Sequence, residues 1–326
     1  MMDDGRYLDT ARNVYREAAL APQEGLCCTT SPVWRLPGLS VPARMLAMNY
    51  GCGSTVNPRD LAGEPTVLYV GIGGGMELLQ FAYFCRQPGA VVGIDTVPEM
   101  IEACRTNLET AQSENAWFRP EYVALHHGDA LALPLADASV DVAAQNCLFN
   151  IFRTADLRRA LAEMYRVLKP HGRLILSDPI CDAKMPDILR DDPRLRALCL
   201  SGAIPLAEYI GHLTSVGFGT IEVRARRPYR VLSPRHYRTD RLVVIESVEI
   251  CAIKDPVPAD GPCVFTGRAA IYHGNESSFD DGKGHVLTQN QPMSVCDKTA
   301  AALAALARDD IHISEATFFY DGGGCC

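Results

Sequence analysis

The chain has 326 residues, enough to bury a core in one large domain or two, and its 48% hydrophobic and 21% charged content fits a folded protein rather than a disordered one. A net charge of −8 opposes sequence-independent binding to nucleic acid or to anionic membranes. Thirteen cysteines, an odd number behind an N-terminus without an export signal, point to a cytoplasmic protein whose thiols act as ligands or redox groups rather than staples.

In chain order, Leu8 to Leu20 reads as a short amphipathic helix. Pro22, Pro32, Pro37 and Pro42 then break the chain into an arm that carries Cys27, Cys28 and Cys52. From Val67 the texture is strand, glycine turn and helix to about Cys85, then strand Ala90 to Asp95, helix Pro98 to Gln112 and strand Glu121 to Leu125. The most apolar long window, 67–84, contains four glycines, Glu77 and Gln80, and falls short of the roughly 20 apolar residues that cross a bilayer. A fourth strand spans Val140 to Gln145. A helix follows, with Thr154 as cap, Leu157, Leu161, Met164 and Leu168 as apolar stripe and Pro170-His-Gly172 as its end; a fifth strand, Arg173 to Asp178, comes next. Repeated β-α units of this kind make an open, doubly wound, Rossmann-like α/β sheet with ligands at the carboxyl ends of its strands.

Beyond Pro179 the expected elements are a helix near Pro205 to Val216, strands near Thr220 to Arg226, Arg241 to Ile253 and Pro262 to Tyr272, a helix near Lys298 to Ala307 and a strand Ile311 to Phe319. The expected organisation is an N-terminal helix and cysteine arm (1–60), a cofactor-binding domain (61–224) and a smaller α+β domain (225–326) ending in Gly-Gly-Gly-Cys325-Cys326. The arginines 224, 226, 227, 230, 235, 238 and 241 read first as a solvated strand edge and turn, and second as an anion or carboxylate site.

In Gly71-Ile-Gly73-Gly-Gly75 the missing Cβ atoms let backbone approach a ligand, and the next helix points its N-terminus there. Asp95, 22 residues after Gly73, ends the following strand, where a carboxylate can accept both ribose hydroxyls. Asp129-Ala130 follows the third strand, where an adenine edge would lie, and Tyr50, Thr96, Met100 and Asn146 complete the candidate cofactor contacts, core packing being the other reading of Met100. This order, with Leu133-Pro-Leu135, Asp137-Ala-Ser-Val-Asp141 and Glu163-Met-Tyr-Arg-Val-Leu-Lys-Pro-His-Gly172 behind it, resembles the class I S-adenosylmethionine-dependent methyltransferases over about Pro65 to Asp178. Tyr69 departs from that pattern, which usually has Asp or Glu two residues before the first glycine, and so leaves open how the methionine end is held.

Asn146-Cys147-Leu-Phe-Asn150, Cys199-Leu-Ser-Gly202 and Tyr50-Gly-Cys52-Gly, with the Cys27-Cys28 arm, resemble the arsenite S-adenosylmethionine methyltransferases. Met48-Asn-Tyr-Gly-Cys-Gly, Gln145-Asn-Cys-Leu-Phe-Asn-Ile-Phe152 and the cysteine tail resemble their cyanobacterial arsenosugar-pathway type. The resemblance implies that Cys52, Cys147 and Cys199 bind arsenite as substrate. It also implies that Cys27 or Cys28 forms a disulfide with Cys52, which thioredoxin or glutathione reduces. Trivalent arsenic is soft and prefers thiolates, and its lone pair is the nucleophile, so the chemistry needs positioning rather than a general base. Adjacent cysteines make a strained disulfide, so Cys325-Cys326 reads either as a mobile dithiol that captures arsenite or as a dispensable tail. No Cys-x-x-Cys or finger-spaced Cys/His pair favours zinc, and Cys85, Cys104, Cys181, Cys251, Cys263 and Cys296 read as small buried hydrophobes. The alternatives are a methyltransferase for a small organic acceptor with incidental cysteines, and a non-enzymatic arsenic-binding protein.

Overall fold

The computed structural model describes residues 6–23, 26 and 35–320; Cys27, Cys28, Cys325 and Cys326 lie outside them. Helix α1 (Arg6–Leu20) is followed by a short α2 (Ala43–Ala47), then β1 (Val67–Val70), α3 (Met76–Phe84), β2 (Val91–Asp95), α4 (Pro98–Glu114), β3 (Val123–His127), β4 (Val140–Asn146), α5 (Thr154–Val167) and β5 (Leu168–Cys181). After the short helices α6 (Asp187–Arg190) and α7 (Pro193–Ala197) come β6 (Ile204–Pro205), α8 (Leu206–Val216), β7 (Thr220–Leu232), α9 (Pro234–Tyr237), β8 (Val243–Ile253) and β9 (Cys263–Phe265). The chain continues through β10 (Arg268–Tyr272), β11 (Ser278–Asp280), β12 (Val286–Thr288), β13 (Pro292–Val295), α10 (Asp297–Ala304) and β14 (Ile311–Ile313).

The main sheet runs β3-β2-β1-β4-β5-β8-β7-β9, with β6 paired to β5. Strands β1 to β5 are mutually parallel, and β8 runs antiparallel between β5 and β7. Consecutive residues serve opposite faces: Val67 and Tyr69 belong to one buried cluster with Leu79, Phe81 and Met100, while Leu68 and Val70 belong to another with Leu157, Leu161 and Met164. Helices thus cover both faces, the arrangement a parallel sheet requires. The sequence order reverses between β1 and β4, and a crevice opens there at the carboxyl ends of the strands.

Several boundaries differ from expectation. Arg153, not Thr154, takes the cap position of α5, and β5 begins at Leu168, so Pro170-His171-Gly172 is an irregularity within the β4–β5 pairing rather than a helix end. Proline lacks an amide and His171 adopts a φ of 63°, so this stretch leaves the ladder between Leu168 and Arg173. Residue 225 lies inside β7, whose ladder with β8 continues the main sheet; the separate small sheets, β13-β10-β14 and β11-β12, begin only at Arg268. The expected strand from Pro262 to Tyr272 is two strands around Gly267, whose φ is 80°. Ile311 to Phe319 is strand only to Ile313.

Arg224, Arg226, Arg227 and Arg241 of the arginine cluster are held in ion pairs. Arg224 Nη2 meets Asp60 Oδ1 at 3.0 Å, Arg226 Nε meets Glu246 at 2.8 Å, Arg227 pairs with Glu249, and Arg241 lies 3.7 Å from Asp182. No helix among the described residues is long and apolar enough to cross a membrane.

Candidate functional site

The crevice between β1 and β4 encloses about 1030 Å³ of space including its open mouth. Gly71, Ile72 and Gly73 form its floor, with φ of 76° and 50° at the two glycines. These are left-handed conformations that a side chain resists. Gly74 N–H donates to Met48 O at 3.3 Å and Asn107 Nδ2 donates to Gly74 O at 2.9 Å, fixing the turn from both sides. A Cβ on Gly74 would sit 2.6 Å from that of Met48. Gly75, expected among the cofactor contacts, does not line the cavity: it is the left-handed residue before α3, and a Cβ there would lie 2.7 Å from Cys104 Sγ. It serves the packing of α3 against α4.

Asp95 closes β2 at the cavity edge. Its Oδ2 accepts Ile72 N–H at 3.0 Å and its Oδ1 accepts Val97 N–H at 2.9 Å; burial raises its carboxyl to about 6 against those donors. Thr96, Met100, Asp129, Ala130, Tyr50 and Asn146, the other candidate cofactor contacts, also line the cavity. Asp129 Oδ1 accepts Leu131 N–H at 2.9 Å, and its other oxygen lies 3.5 Å from Arg12 of α1.

Helix α1 enters the site, which the sequence did not disclose. Leu8, Ala11, Arg12 and Tyr15, spaced so that they share one helical face, line the cavity opposite the glycine turn. Tyr7 O–H donates to Asp156, Tyr15 O–H donates to Ala197 O at 3.2 Å, and the Tyr15 ring stands edge-on to Tyr50 at 6.3 Å. The amphipathic stripe of α1 was legible, but not the surface it covers.

A second group gathers at the ends of β4 and β5. Cys147 follows β4 directly; its N–H donates to Ser177 O at 2.7 Å. Cys199 Sγ donates to Cys147 O at 2.6 Å, and Cys52 Sγ lies 3.4 Å from Ser177 Oγ. The three thiols, only 1%, 3% and 0% exposed at Cys52, Cys147 and Cys199, therefore belong to one buried neighbourhood although they are remote in sequence. Cys147 lines the cavity; Cys52 and Cys199 do not. Among the described residues no three His, Cys, Asp or Glu side chains are already grouped as for a metal ion, so a shared ligand requires these thiols to turn from their present partners. Cys147 and Cys199 hold φ of 62° and 58°, a conformation costly for a non-glycine residue, which marks both as positions fixed by their surroundings.

Asn146 joins the two groups. Its Oδ1 accepts Cys52 N–H at 3.0 Å, and its Nδ2 donates to Gly53 O at 2.9 Å and to Glu77 Oε2 at 3.2 Å. Gly51 leaves room for this side chain, since a Cβ there would come within 2.5 Å of it. The other described cysteines, 85, 104, 181, 251, 263 and 296, are buried as expected.

A family model described as a methyltransferase domain matches residues 68–176, the span from β1 into β5. The arsenite methyltransferase of Halobacterium salinarum is 33% identical over 176 residues, 54% of this chain but only 43% of that one. The arsenite methyltransferase of Aquipseudomonas alcaligenes is 31% identical over 294 residues, 84% of this chain and 80% of that one. In three dimensions, an arsenic(III) S-adenosylmethionine methyltransferase from Chlamydomonas reinhardtii superposes with a TM-score of 0.57 at 24% identity, covering 87% of this chain and 95% of that one, a likeness of fold. With a relative matched over four fifths of its length and a methyltransferase sheet framing a cavity beside three thiols, the chain belongs to the arsenite methyltransferases, within the class I S-adenosylmethionine-dependent fold.

Proposed function

We propose that the protein methylates thiol-bound trivalent arsenic with S-adenosylmethionine as donor. The observation that carries this reading is the placement of Cys147, neighbour to Cys52 and Cys199, in the lining of the cavity that the glycine turn and Asp95 also line. The residues present fit that donor. The left-handed glycine floor admits a ligand against the main chain, Asp95 stands where ribose hydroxyls would be accepted, and Ile94, Val97 and Met100 offer apolar walls to a base. When bound, S-adenosylmethionine supplies an electrophilic methyl carbon on a sulfonium sulfur.

The chain's own part is to bind and orient. Cys52 and Cys199 rotate from Ser177 and from the Cys147 carbonyl to hold arsenite together with Cys147, each As–S bond replacing an As–O bond and the thiol proton leaving with the arsenite hydroxyl as water. The arsenic lone pair is then the nucleophile, and no side chain need act as general base. Methylation leaves arsenic formally pentavalent, and its return to the trivalent state takes two electrons. We assign these to a thiol of Cys27 or Cys28 together with Cys52, closing a disulfide that thioredoxin or glutathione reopens.

Mass spectrometry of arsenic products made from arsenite, donor and thiol reductant tests the reading. Cys147→Ser and Cys199→Ser should each lower arsenite-dependent S-adenosylhomocysteine formation by about 100-fold or more, since one missing ligand disorders the nucleophile, while calorimetric affinity for S-adenosylhomocysteine stays within about 3-fold. Undiminished turnover in both variants would leave the cysteines incidental and favour a small organic acceptor. Absence of any donor binding would favour an arsenic-binding protein without catalysis.

A further inference from the structure

Glu77 is a buried carboxylate with no cationic partner among the described residues. It stands in the first turn of α3, 4% exposed, and lines the cavity beside Asn49, Gly51 and Asn146. Its Oε1 accepts Thr55 N–H at 2.8 Å; its Oε2 accepts Asn146 Nδ2 at 3.2 Å and the Tyr69 hydroxyl. All three donors are neutral. The other acids of the cavity are differently placed: Asp95 is met by two backbone amides and Asp129 by Arg12, the one Lys or Arg among the described lining residues.

A buried carboxylate is costly unless a positive charge or several donors compensate it, and burial accordingly pushes Glu77 above the usual carboxyl range. Three neutral donors meet this carboxylate and the buried Thr55 hydroxyl, which has no other partner, is set against it as well, so what the fold leaves unmet is its charge. At the position two residues before Gly71 the chain has Tyr69, whose hydroxyl is turned onto Glu77. The side chain at that position therefore delivers no charge to the cavity; it orients one that comes from the next helix.

We infer that Glu77 is the residue that receives the α-ammonium group of the donor's methionine end, oriented by Tyr69 and Asn146. This rests on the reading of the cavity as the S-adenosylmethionine site and adds which carboxylate holds the amino-acid end. Because Thr55 and Asn146 also hold the segment around Cys52, the same carboxylate ties occupation of the amino-acid subsite to the position of that thiol.

Two ligands that differ at that end decide it: S-adenosylhomocysteine, which carries the ammonium and carboxylate, and 5′-methylthioadenosine, which carries neither. Glu77→Gln keeps the side-chain volume and removes the charge. By calorimetry on the full chain it should weaken S-adenosylhomocysteine about 10- to 100-fold, the scale of one charge-assisted hydrogen bond, and leave methylthioadenosine within about 3-fold. Equal weakening of both ligands, or of neither, overturns the inference. A measurement on the unsubstituted protein guards against a variant that fails to fold. An S-adenosylhomocysteine analogue with hydroxyl in place of the amino group should bind about 10- to 100-fold more weakly than the parent, and equal affinity overturns the inference. If the unsubstituted protein binds neither nucleoside, the cofactor reading itself falls, a result separate from a failure at Glu77.

Discussion

Single residues in this site do work that their type alone does not announce. Asp95 was legible because a carboxylate at the end of the second strand, a fixed distance after a glycine turn, has few structural uses. Glu77 was not, because a helical glutamate in the first turn ordinarily faces solvent and favours the helix dipole. Only the crossing of α3 beneath the Cys52 segment buries it. Asp178 was read merely as the end of a strand. It lies within β5, wholly buried against the loop after Cys147, accepts from Tyr209 O–H at 2.7 Å and from Gln145, and burial raises it to about 7. A carboxyl raised in the folded state contributes stability that is complete below its unfolded value of about 3.9 and is lost as pH rises through the folded one. The stability of the wild type relative to Asp178→Asn should therefore decline between about pH 4 and pH 7 and level off above, as read by chemical denaturation at each pH. A difference that stays flat across that window would show Asp178 to be ionised throughout.

At the scale of elements, the thiol neighbourhood depends on how closely two loops approach. Gly202 is the pivot: a Cβ there would lie 1.7 Å from Asn150 O, so the segment after Cys199 can seat against the loop after Cys147 only because that position has no side chain. Gly202→Ala must push the two loops apart and break the Cys199–Cys147 contact. The expected result is loss of arsenite-dependent methylation by about 10-fold or more, the scale attached to roughly 1 Å misplacement of reacting groups, with affinity for S-adenosylhomocysteine retained. Methylation at the wild-type rate would mean that the Cys199 segment is dispensable. Helix α1 acts on the same scale in the opposite sense. Its Arg12–Asp129 pair is 41% and 40% exposed on its two side chains, and exposed pairs contribute roughly 0–1 kcal/mol. Arg12→Ala should therefore change cofactor affinity less than about 5-fold, and a larger loss would show that Arg12 touches the ligand itself.

Across the whole molecule, the N-terminal arm is tied to the far end of the sheet by charge. Asp60, with a side chain 2% exposed, meets Arg224 of β7 in a bidentate contact, and Glu222 lies 2.7 Å from the same guanidinium. Removing one partner of a buried pair leaves the other charge uncompensated, so Asp60→Ala should destabilise the protein by about 3 kcal/mol by denaturant unfolding, Glu222 keeping the loss at the low end of the usual range. A change under about 1 kcal/mol would place the pair among exposed bridges. Local patterning gave much of this architecture, because period-2 and period-3.6 repeats and glycine turns depend on neighbours in the chain: β1 to β5, α3 to α5, and the positions of Gly71, Gly73, Asp95 and Asp129 were all readable from it. The regions where tertiary pairing governs were read less well, as where β7 and β8 join the main sheet past residue 225 and Gly267 splits one expected strand. By itself, then, the sequence determined a methyltransferase sheet with its nucleoside crevice and the identity of the thiols near it. The tertiary structure decided that α1 lines the crevice, that Glu77 of α3 places a buried carboxyl group at it, and that Cys52 and Cys199 are not part of its lining. The reason is that burial and orientation are set by contacts between segments far apart in the chain, which no local pattern encodes.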